Sequence, residues 1–202
     1  MKRVAVTQRV EIVPTYGERR DALDQRWTEF LARVDVVPLL VPNNPSTLRS
    51  LLANFQIDGI LLTGGGDLLA YGGNAPERDA TEAALIRYAI DERVPLIGVC
   101  RGMQAVQDFF GVRLEAVTGH VAPEQIVIAD GTPQSVNSYH SFGSTATVPE
   151  LEVRAVAQDG VIKAVQHRRH AIHGVMWHPE RISPFRAPDM EMFARVFGSE
   201  GQ

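Results

Sequence analysis

Residues 94–104 constrain the fold of this chain more than any other stretch. Their sequence, VPLIGVCRGMQ, is an apolar run that ends at a cysteine, Cys100, between Gly98 and Gly102. A short apolar run predicts a buried strand, and the apolar residues that recur after Gly102 with helical spacing predict a helix. Cys100 is therefore expected at the point where a strand turns sharply into a helix.

A cysteine at such a turn is expected to be reactive. Gly98 and Gly102 allow a sharp backbone turn and close packing of the helix on the strand, as in nucleophile elbows. The free N–H groups and the dipole of the helix start favour an anion, so they favour the thiolate. A lone cysteine is more often a small buried core residue. The two flanking glycines make the nucleophile the better interpretation here.

Composition narrows the class of protein and its partners. The chain has 202 residues and predicts one domain over residues 1–202. A net charge of -4 argues against nucleic-acid or anionic-membrane partners and leaves small molecules or proteins. No apolar run approaches the roughly 20 residues of a membrane span, and the start resembles a strand more than a signal peptide, which predicts a cytoplasmic protein. One cysteine allows neither an internal disulfide nor a cysteine-rich zinc site.

The first half of the chain alternates between strand-like and helix-like segments. Strands are predicted near residues 3–7, 36–41, 59–63 and 95–99, with helices near residues 21–34, 44–52, 79–90 and 102–110. Asn44 precedes a proline at the second helix start, and Asp79 with Glu82 forms a capping-box pattern at the third. The segment 8–20 is predicted to be a loop. This alternation predicts an α/β fold with a mostly parallel sheet, helices on both faces, and ligands at the carboxyl ends of the strands.

The last third of the chain has a different pattern. Asp159 and Gly160 form a two-residue hairpin signal between strands at 152–158 and 161–167, so these strands are expected to be antiparallel. A further strand is predicted at 171–177, and a final amphipathic helix carries apolar residues between 192 and 197. The sheet is therefore expected to end in an antiparallel C-terminal segment.

A thiolate nucleophile needs a base that a third group orients. Among six histidines, His178 is the strongest candidate, because it ends an apolar strand and Glu180 follows two residues later. The histidines at 167, 170 and 173 also suggest a metal or phosphate site, although solvated strand and turn residues explain them better. Cys100, His178 and Glu180 are thus predicted to form a triad, and no metal or cofactor is expected.

Acyl transfer also needs hydrogen-bond donors for the oxyanion. The glycine turn at residues 63–67, TGGGD, follows a predicted strand and lacks both the lysine of a P-loop and the GxGxxG fingerprint. We therefore interpret it as an oxyanion loop that includes Gly64 and Gly65. The second donor would be the N–H of Arg101, the residue after the nucleophile.

These residues together resemble the class I glutamine amidotransferases, and in particular their stand-alone γ-glutamyl hydrolase-like branch of the peptidase C26 type. The elbow GVCRGMQ is similar to the family's GxCxGxQ, the pair His178 and Glu180 to its HPE motif, and TGGGD to its oxyanion strand. The order and spacing of the motifs agree across most of the chain. The resemblance implies the family's flavodoxin-like amidotransferase fold.

The resemblance also implies residue roles. Cys100 would be the nucleophile, His178 the base that becomes the general acid, and Glu180 the carboxylate that orients it. The oxyanion donors would be Gly64, Gly65 and Arg101. The residues implied in binding the glutamyl group are Gln104, Tyr139, His140, Ser141 and Phe142. Asp79 and Glu82 also match an Arg-Asp-x-x-Glu pattern of the hydrolase branch, but the capping box explains them without catalysis.

The implied activity is hydrolysis of a γ-glutamyl amide through a glutamyl thioester. The N-terminal segment is most similar to family members from surface-polysaccharide gene clusters, which implies a γ-glutamyl phosphoramidate nucleotide of capsule or lipopolysaccharide biosynthesis as substrate. Four polar residues near the carboxyl edge, Gln8, Arg9, Arg19 and Arg20, either meet a phosphorylated leaving group or belong to a solvated loop. Two alternatives stay open: a glutaminase subunit that delivers ammonia to a partner synthase, and a non-catalytic binding module. A homo-oligomer also stays open.

Overall fold

Alternating strands and helices place the Cys100 turn near the centre of a nine-stranded sheet. The computed structural model describes residues 1–198. The strands are β1 Lys2–Val6, β2 Arg9–Val13, β3 Glu18–Ala22, β4 Val36–Leu40, β5 Gly59–Leu62, β6 Leu96–Val99, β7 Glu115–Ala116, β8 Val121–Ala129, β9 Thr132–Tyr139, β10 Phe142–Gly143, β11 Leu151–Ala157, β12 Ile162–His167 and β13 Ile172–Val175. The helices are α1 Arg26–Ala32, α2 Pro45–Asn54, α3 Pro76–Asp91, α4 Arg101–Phe109 and α5 Ala187–Gly198.

The large sheet has a parallel half and an antiparallel half. Its strand order is β4-β1-β5-β6-β13-β12-β11-β8-β9. The pairs from β4 to β13 are parallel, and those from β13 to β9 are antiparallel. The predicted α/β class with an antiparallel C-terminal segment is confirmed. Since β6 lies inside the sheet, its carboxyl end opens between the ends of β5 and β13.

Helices cover both faces of the sheet, as predicted. On one face, α2, α3 and α4 bury side chains such as Leu48, Leu85 and Met103 against the strands. On the other face, α1 and α5 contribute an aromatic cluster that includes Phe30 and Phe193, whose ring centroids lie 4.8 Å apart. Among residues 1–198, no helix combines the length and the apolar character needed to cross a membrane.

Local turn and cap signals correctly predicted several element boundaries. Asn44 caps α2, because its side-chain oxygen accepts hydrogen bonds from the N–H groups of Ser46 and Thr47, both at 3.1 Å. Asp159 and Gly160 connect β11 to β12, and Gly160 has a φ of 87° that glycine adopts without steric cost. These features depend on short-range chemistry, which explains why the sequence alone revealed them.

The loop predicted at residues 8–20 is wrong, because this segment contains the β2–β3 hairpin. The two strands pair in antiparallel fashion from Arg9 opposite Ala22 to Val13 opposite Glu18. Most of their side chains are exposed or only half-buried, so the alternation of polar and apolar residues that would indicate strands is weak. Helix α1 consequently begins at Arg26 and not near residue 21. The strands β8 and β9 were likewise missed.

The capping box predicted for Asp79 and Glu82 is also wrong. Helix α3 begins at Pro76 with Ala75 as its N-cap residue, and no side chain caps that end. Proline is favoured in the first turn, where its missing N–H group would have no partner. Asp79 and Glu82 therefore lie within the helix, and their carboxylates are free to bind other groups.

Gly102 permits the close approach between α4 and β5 that forms the turn. A Cβ atom at position 102 would lie 2.1 Å from the carbonyl oxygen of Leu62, which is a backbone atom of a buried strand. We expect Gly102→Ala to lower the free energy of unfolding by about 3 kcal/mol, because the overpacked contact can be relieved only by moving the backbone.

Urea denaturation measures this change. Gly198→Ala is the matched control, since a Cβ there would meet no atom within 4 Å. Equal stability of Gly102→Ala and the wild type would contradict the close approach of α4 to β5.

Candidate active site

Cys100 lies at the carboxyl end of β6, immediately before α4. Its backbone has φ 52° and ψ -108°, a conformation that non-glycine residues rarely adopt. The N–H of Cys100 donates to the carbonyl of Val175 at 2.7 Å, and its carbonyl accepts the N–H of Gln104 at 3.0 Å. These two hydrogen bonds fix the strained turn, and Cys100, whose thiol forms no disulfide, is 5% exposed.

His178 and Glu180 follow β13 and lie beside this thiol. The Nδ1 atom of His178 is 2.8 Å from Oε1 of Glu180, so Nδ1 carries a proton and Nε2 is left for the nucleophile. Asn137 holds the backbone of His178 in both directions: its Nδ2 donates to the His178 carbonyl at 2.9 Å, and its Oδ1 accepts the His178 N–H at 2.7 Å. The side chains of Asn137, His178 and Glu180 are buried. The structure brings Cys100, His178 and Glu180 together.

The protonation of His178 is governed by its two neighbours. Burial lowers the pKa of His178, but the hydrogen bonds and negative charges of Cys100 and Glu180 outweigh burial and raise this pKa to about 9. The imidazole is therefore protonated at neutral pH, and with Nδ1 bound to Glu180 it presents its Nε2 proton to Cys100.

The glycine loop at residues 63–67 passes close to both groups. A Cβ atom at Gly64 would lie 2.5 Å from Cε1 of His178 and 3.4 Å from Cβ of Cys100. Any side chain at Gly64 would displace the imidazole. Gly65 and Gly66 line a pocket with Cys100, whereas the predicted donors Gly64 and Arg101 are not among its lining residues.

The pocket above Cys100 has a volume of about 210 Å³. Its lining residues are Gly65, Gly66, Asp67, Cys100, Gln104, Tyr139, His140, Ser141, His178 and Arg181. Gln104 donates from Nε2 to the carbonyl of Phe142 at 2.9 Å, so Phe142 orients the Gln104 side chain. Phe142 itself is not among the lining residues. The Tyr139 carbonyl lies 3.9 Å from Sγ of Cys100. Four of the five predicted substrate-binding residues thus line one pocket, and the fifth orients one of them.

A buried lysine beneath this pocket was missed by the sequence analysis. Lys163 is 1% exposed and donates from Nζ to Oγ of Ser138 at 2.9 Å and to Nε2 of His140 at 2.6 Å. Because Nε2 accepts, His140 carries its proton on Nδ1, which donates to the carbonyl of Phe142 at 2.9 Å. Lys163 and His140 together brace the segment that carries the pocket residues. The signal available was a lysine within the otherwise apolar run at residues 161–165.

The surroundings of Lys163 and His140 lower the pKa values of both side chains. Burial lowers the pKa of Lys163 to about 8, against the opposing charges of Asp159 and Cys100. Burial and the charge of Lys163 lower the pKa of His140 to about 3. His140 is therefore neutral at physiological pH and acts as a fixed hydrogen-bonding group.

Two of the arginines considered for substrate contacts have carboxylate partners. Arg19 pairs with Glu77 and also donates to the carbonyl of Asn74. Arg20 pairs with Glu18 at 2.7 Å. The first pair connects the β2–β3 hairpin to the start of α3, the second lies within β3, and neither arginine has an unpaired charge for a substrate.

The other two residues of this group have different positions. Gln8 donates to the carbonyl of Val41 at 3.1 Å, which is a structural contact. Arg9 packs its side-chain carbons against Gly65 of the glycine loop and pairs with Glu11. Within residues 1–198, its buried Nε atom has no hydrogen-bond partner. Arg9 is thus the member of the group that lies beside the pocket loop.

Arg181 is a pocket arginine that the sequence analysis missed. Its guanidinium lies 5.5 Å from the ring centroid of Tyr139 in a cation–π arrangement, and its Nε is 3.5 Å from Oε1 of Glu180. It is partly exposed and lines the pocket directly. Its place next to Glu180 in sequence was the signal that could have identified it.

The histidines at 167, 170 and 173 form no metal site. Among the residues that the structure describes, no group of three or more His, Cys, Asp or Glu side chains could hold a metal ion. The interpretation of these histidines as solvated residues is nevertheless wrong in part, because His167 is 5% exposed and its Nδ1 accepts the N–H groups of Arg169 and His170. Burial lowers the pKa of His173 to about 4.

The chain is similar to known proteins in both sequence and fold. The chain matches the model of the peptidase C26 family over residues 4–122 and 120–180. It is 28% identical over 185 residues to a protein of Campylobacter jejuni named gamma-glutamyl-CDP-amidate hydrolase, covering 88% of this chain and 90% of that protein. It is 28% identical to gamma-glutamyl-gamma-aminobutyrate hydrolase of Escherichia coli O157:H7, covering 81% of this chain and 80% of that protein. The glutaminase domain of Trypanosoma brucei CTPS with bound acivicin has the same fold, with a TM-score of 0.75 at 15% identity over 99% of this chain and 95% of that one.

The pairing of His178 with Glu180 predicts how Cys100 reacts with iodoacetamide. In Glu180→Gln the carboxylate that raises the pKa of His178 is lost, so this pKa falls and less imidazolium is present to stabilise the thiolate. We expect alkylation of Cys100 at pH 8, between the ordinary histidine pKa and the raised one, to slow about tenfold, and the difference to shrink well above pH 9, where His178 is deprotonated in both proteins.

The rate of mass labelling at several pH values measures this effect. Glu18→Gln is the control, because Glu18 is exposed on the β2–β3 hairpin. Identical pH profiles for the wild type and Glu180→Gln would show that Glu180 does not set the protonation of His178.

Proposed function

The chain belongs to the peptidase C26 family, and we propose that it is a cysteine hydrolase that cleaves the γ-glutamyl amide bond of a small molecule. The observation that carries the proposal is the contact of His178 with both Cys100 and Glu180 at the floor of a pocket of about 210 Å³. Two relatives have names that describe hydrolysis of γ-glutamyl compounds.

The reaction begins with attack of the Cys100 thiolate on the γ-carbonyl carbon. The carbonyl oxygen becomes an oxyanion, which the N–H groups of the glycine loop and of Arg101 stabilise. His178 then gives its Nε2 proton to the nitrogen of the leaving amine as the C–N bond breaks, which leaves a glutamyl thioester. A water molecule gives a proton to His178 and attacks the thioester. Glutamate leaves and the thiolate is restored.

The glutamyl group is held by the segment 139–142 and Gln104. Tyr139 and Ser141 line the pocket and offer backbone groups to the α-amino and α-carboxylate groups, while Gln104 and His140, both hydrogen-bonded to the Phe142 carbonyl, fix the shape of the pocket. Because Lys163 fixes the tautomer of His140, this half of the pocket is rigid before substrate arrives. A rigid pocket loses little entropy when it binds the glutamyl group.

The leaving amine is proposed to carry phosphate, as in a γ-glutamyl phosphoramidate nucleotide. The relative from Campylobacter jejuni is named for such a compound, γ-glutamyl-CDP-amidate. In this chain Arg181 lines the pocket and stacks on the exposed ring of Tyr139, and Arg9 lies against Gly65 at the loop. Guanidinium groups form strong charge-assisted hydrogen bonds with phosphate oxygens.

A panel of γ-glutamyl compounds tests the proposed reaction. The purified protein is expected to release glutamate from at least one γ-glutamyl amide without a partner subunit, and Cys100→Ser is expected to lower this rate by about 10⁴-fold or more. Released glutamate is measured for a nucleotide phosphoramidate, γ-glutamyl-γ-aminobutyrate, γ-glutamylethylamide and glutamine.

Two outcomes would overturn this function. Full activity of Cys100→Ser would exclude the thioester mechanism. Hydrolysis of free glutamine only in the presence of a co-encoded synthase would identify a glutaminase subunit that delivers ammonia.

The position of Arg181 predicts a dependence on the charge of the leaving group. Arg181→Met should lower kcat/KM for the phosphoramidate nucleotide about tenfold more than kcat/KM for γ-glutamylethylamide, because only the first leaving group is an anion. An effect of the substitution on Glu180 would lower both kcat/KM values equally, so it cancels in their ratio.

Arg20→Met is the matched control, since Arg20 is exposed and paired with Glu18 away from the pocket. An unchanged ratio in Arg181→Met would mean that Arg181 does not recognise the leaving group.

A further inference from the structure

One buried arginine holds the carbonyl groups of the glycine loop. Arg78, on α3, is 1% exposed, and its guanidinium donates to three successive carbonyl oxygens. The distances are 2.7 Å to Thr63, 3.2 Å to Gly64 and 2.6 Å to Gly65. A single rigid fork of donors therefore fixes the orientation of three consecutive peptide groups.

The orientation of these carbonyls decides where the opposite sides of the peptides point. In a trans peptide the C=O and N–H bonds point in opposite directions. The N–H groups of Gly64, Gly65 and Gly66 accordingly point away from Arg78. Within residues 1–198 none of the three donates to another backbone or side-chain group. Since Gly65 and Gly66 line the pocket above Cys100, their N–H groups are available to a ligand there.

The glycines of the loop do not select this orientation by themselves. Gly65 and Gly66 have φ values of 94° and 73°, in the left-handed region, and glycine can reach many alternative conformations at little cost. A flipped peptide would turn a carbonyl oxygen toward the pocket and would repel an oxyanion. The hydrogen bonds from Arg78 oppose this flip.

A carboxylate aligns the arginine in turn. Oε1 of Glu82 accepts a hydrogen bond from Nε of Arg78 at 2.8 Å and another from Oγ1 of Thr7 at 3.1 Å. The same Thr7 oxygen accepts the N–H of Thr63 at 3.0 Å, so Glu82 also acts on the start of the loop. Glu82 is fully buried.

The second proposed oxyanion donor belongs to the same set of charges. The side chain of Arg101 donates to the other oxygen of Glu82 and to Asp79. We name Arg78, Asp79, Glu82 and Arg101 the α3 ion cluster. It contains two cations and two anions, so its formal charge is zero, as a buried site requires. Through it, the loop and the first residue of α4 are fixed relative to each other.

We propose that Arg78 is a positioning residue that keeps the N–H groups of the glycine loop directed at the oxyanion formed on Cys100. This role rests on the proposed function only in that Cys100 must accept an acyl group. It gives the Arg-Asp-x-x-Glu pattern at residues 78–82 a purpose in the reaction that capping of a helix does not supply.

Two reactions of Cys100 separate this role from a general effect on the thiol. Acylation by p-nitrophenyl acetate forms an oxyanion, whereas alkylation by iodoacetamide is a displacement that forms none. We expect Arg78→Met to slow acylation about 10- to 100-fold and to change alkylation less than about twofold. Release of p-nitrophenol and mass labelling of Cys100 measure the two rates on the full chain.

A second variant controls for destabilisation by an unbalanced buried charge. Arg78→Met leaves the cluster with one excess negative charge, whereas Arg78→Met with Glu82→Gln keeps it neutral by leaving the pair of Arg101 and Asp79. The double variant should show the same selective loss of acylation. Arg87→Met, on the exposed side of α3, is the matched control and should change neither rate.

The outcomes distinguish this role from the proposed function. Unchanged acylation in the folded variants, or an equal fall in both rates, would overturn the positioning role. If the wild type hydrolyses no γ-glutamyl amide but Arg78→Met still loses acylation selectively, the positioning role stands and the proposed substrate is wrong.

Discussion

The candidate active site depends on the close packing of β5, β6 and the first turn of α4. A non-glycine residue with the backbone angles of Cys100 carries strain of about 1–3 kcal/mol, which only a well-packed surrounding can sustain. Gly98 and Gly102 supply that packing, because a Cβ at Gly98 would lie 2.6 Å from the Gly102 backbone and a Cβ at Gly102 would lie 2.1 Å from the Leu62 carbonyl oxygen. The thiol is thereby held in one orientation, and the histidine, the glycine loop and the pocket are arranged around it.

Buried charge is the second constraint on this site. The α3 ion cluster places two arginines and two carboxylates behind the glycine loop, and His178 lies between a carboxylate and the thiol. Lys163 differs, since its two hydrogen-bond partners, Ser138 and His140, are both neutral. Breaking a buried pair by removing one partner costs several kcal/mol, so these groups resist rearrangement. The outcome is a site whose donors and acceptors are oriented before any substrate binds.

Residues close in sequence carried most of the correct predictions. The turn at Cys100, the Asn44 cap and the Asp159–Gly160 hairpin each follow from chemistry within a few residues. The β2–β3 hairpin was missed because its strands bury neither face, and hydrophobic periodicity detects only buried faces. Asp79 and Glu82 were misassigned for a related reason: a local capping pattern was present, while their true partners are arginines that include Arg101 on another helix.

The sequence by itself determined the α/β alternation, the place of Cys100 at a strand-to-helix turn and the two-residue spacing of His178 and Glu180, because periodicity, turn chemistry and short motifs act locally. Only the tertiary structure decided which groups surround that thiol. Arg78 reaches the loop carbonyls and Lys163 reaches His140 through contacts that span 13 to 23 residues of chain. Such contacts depend on how strands and helices stack, and stacking is set by the packing of the whole core, which no local pattern encodes.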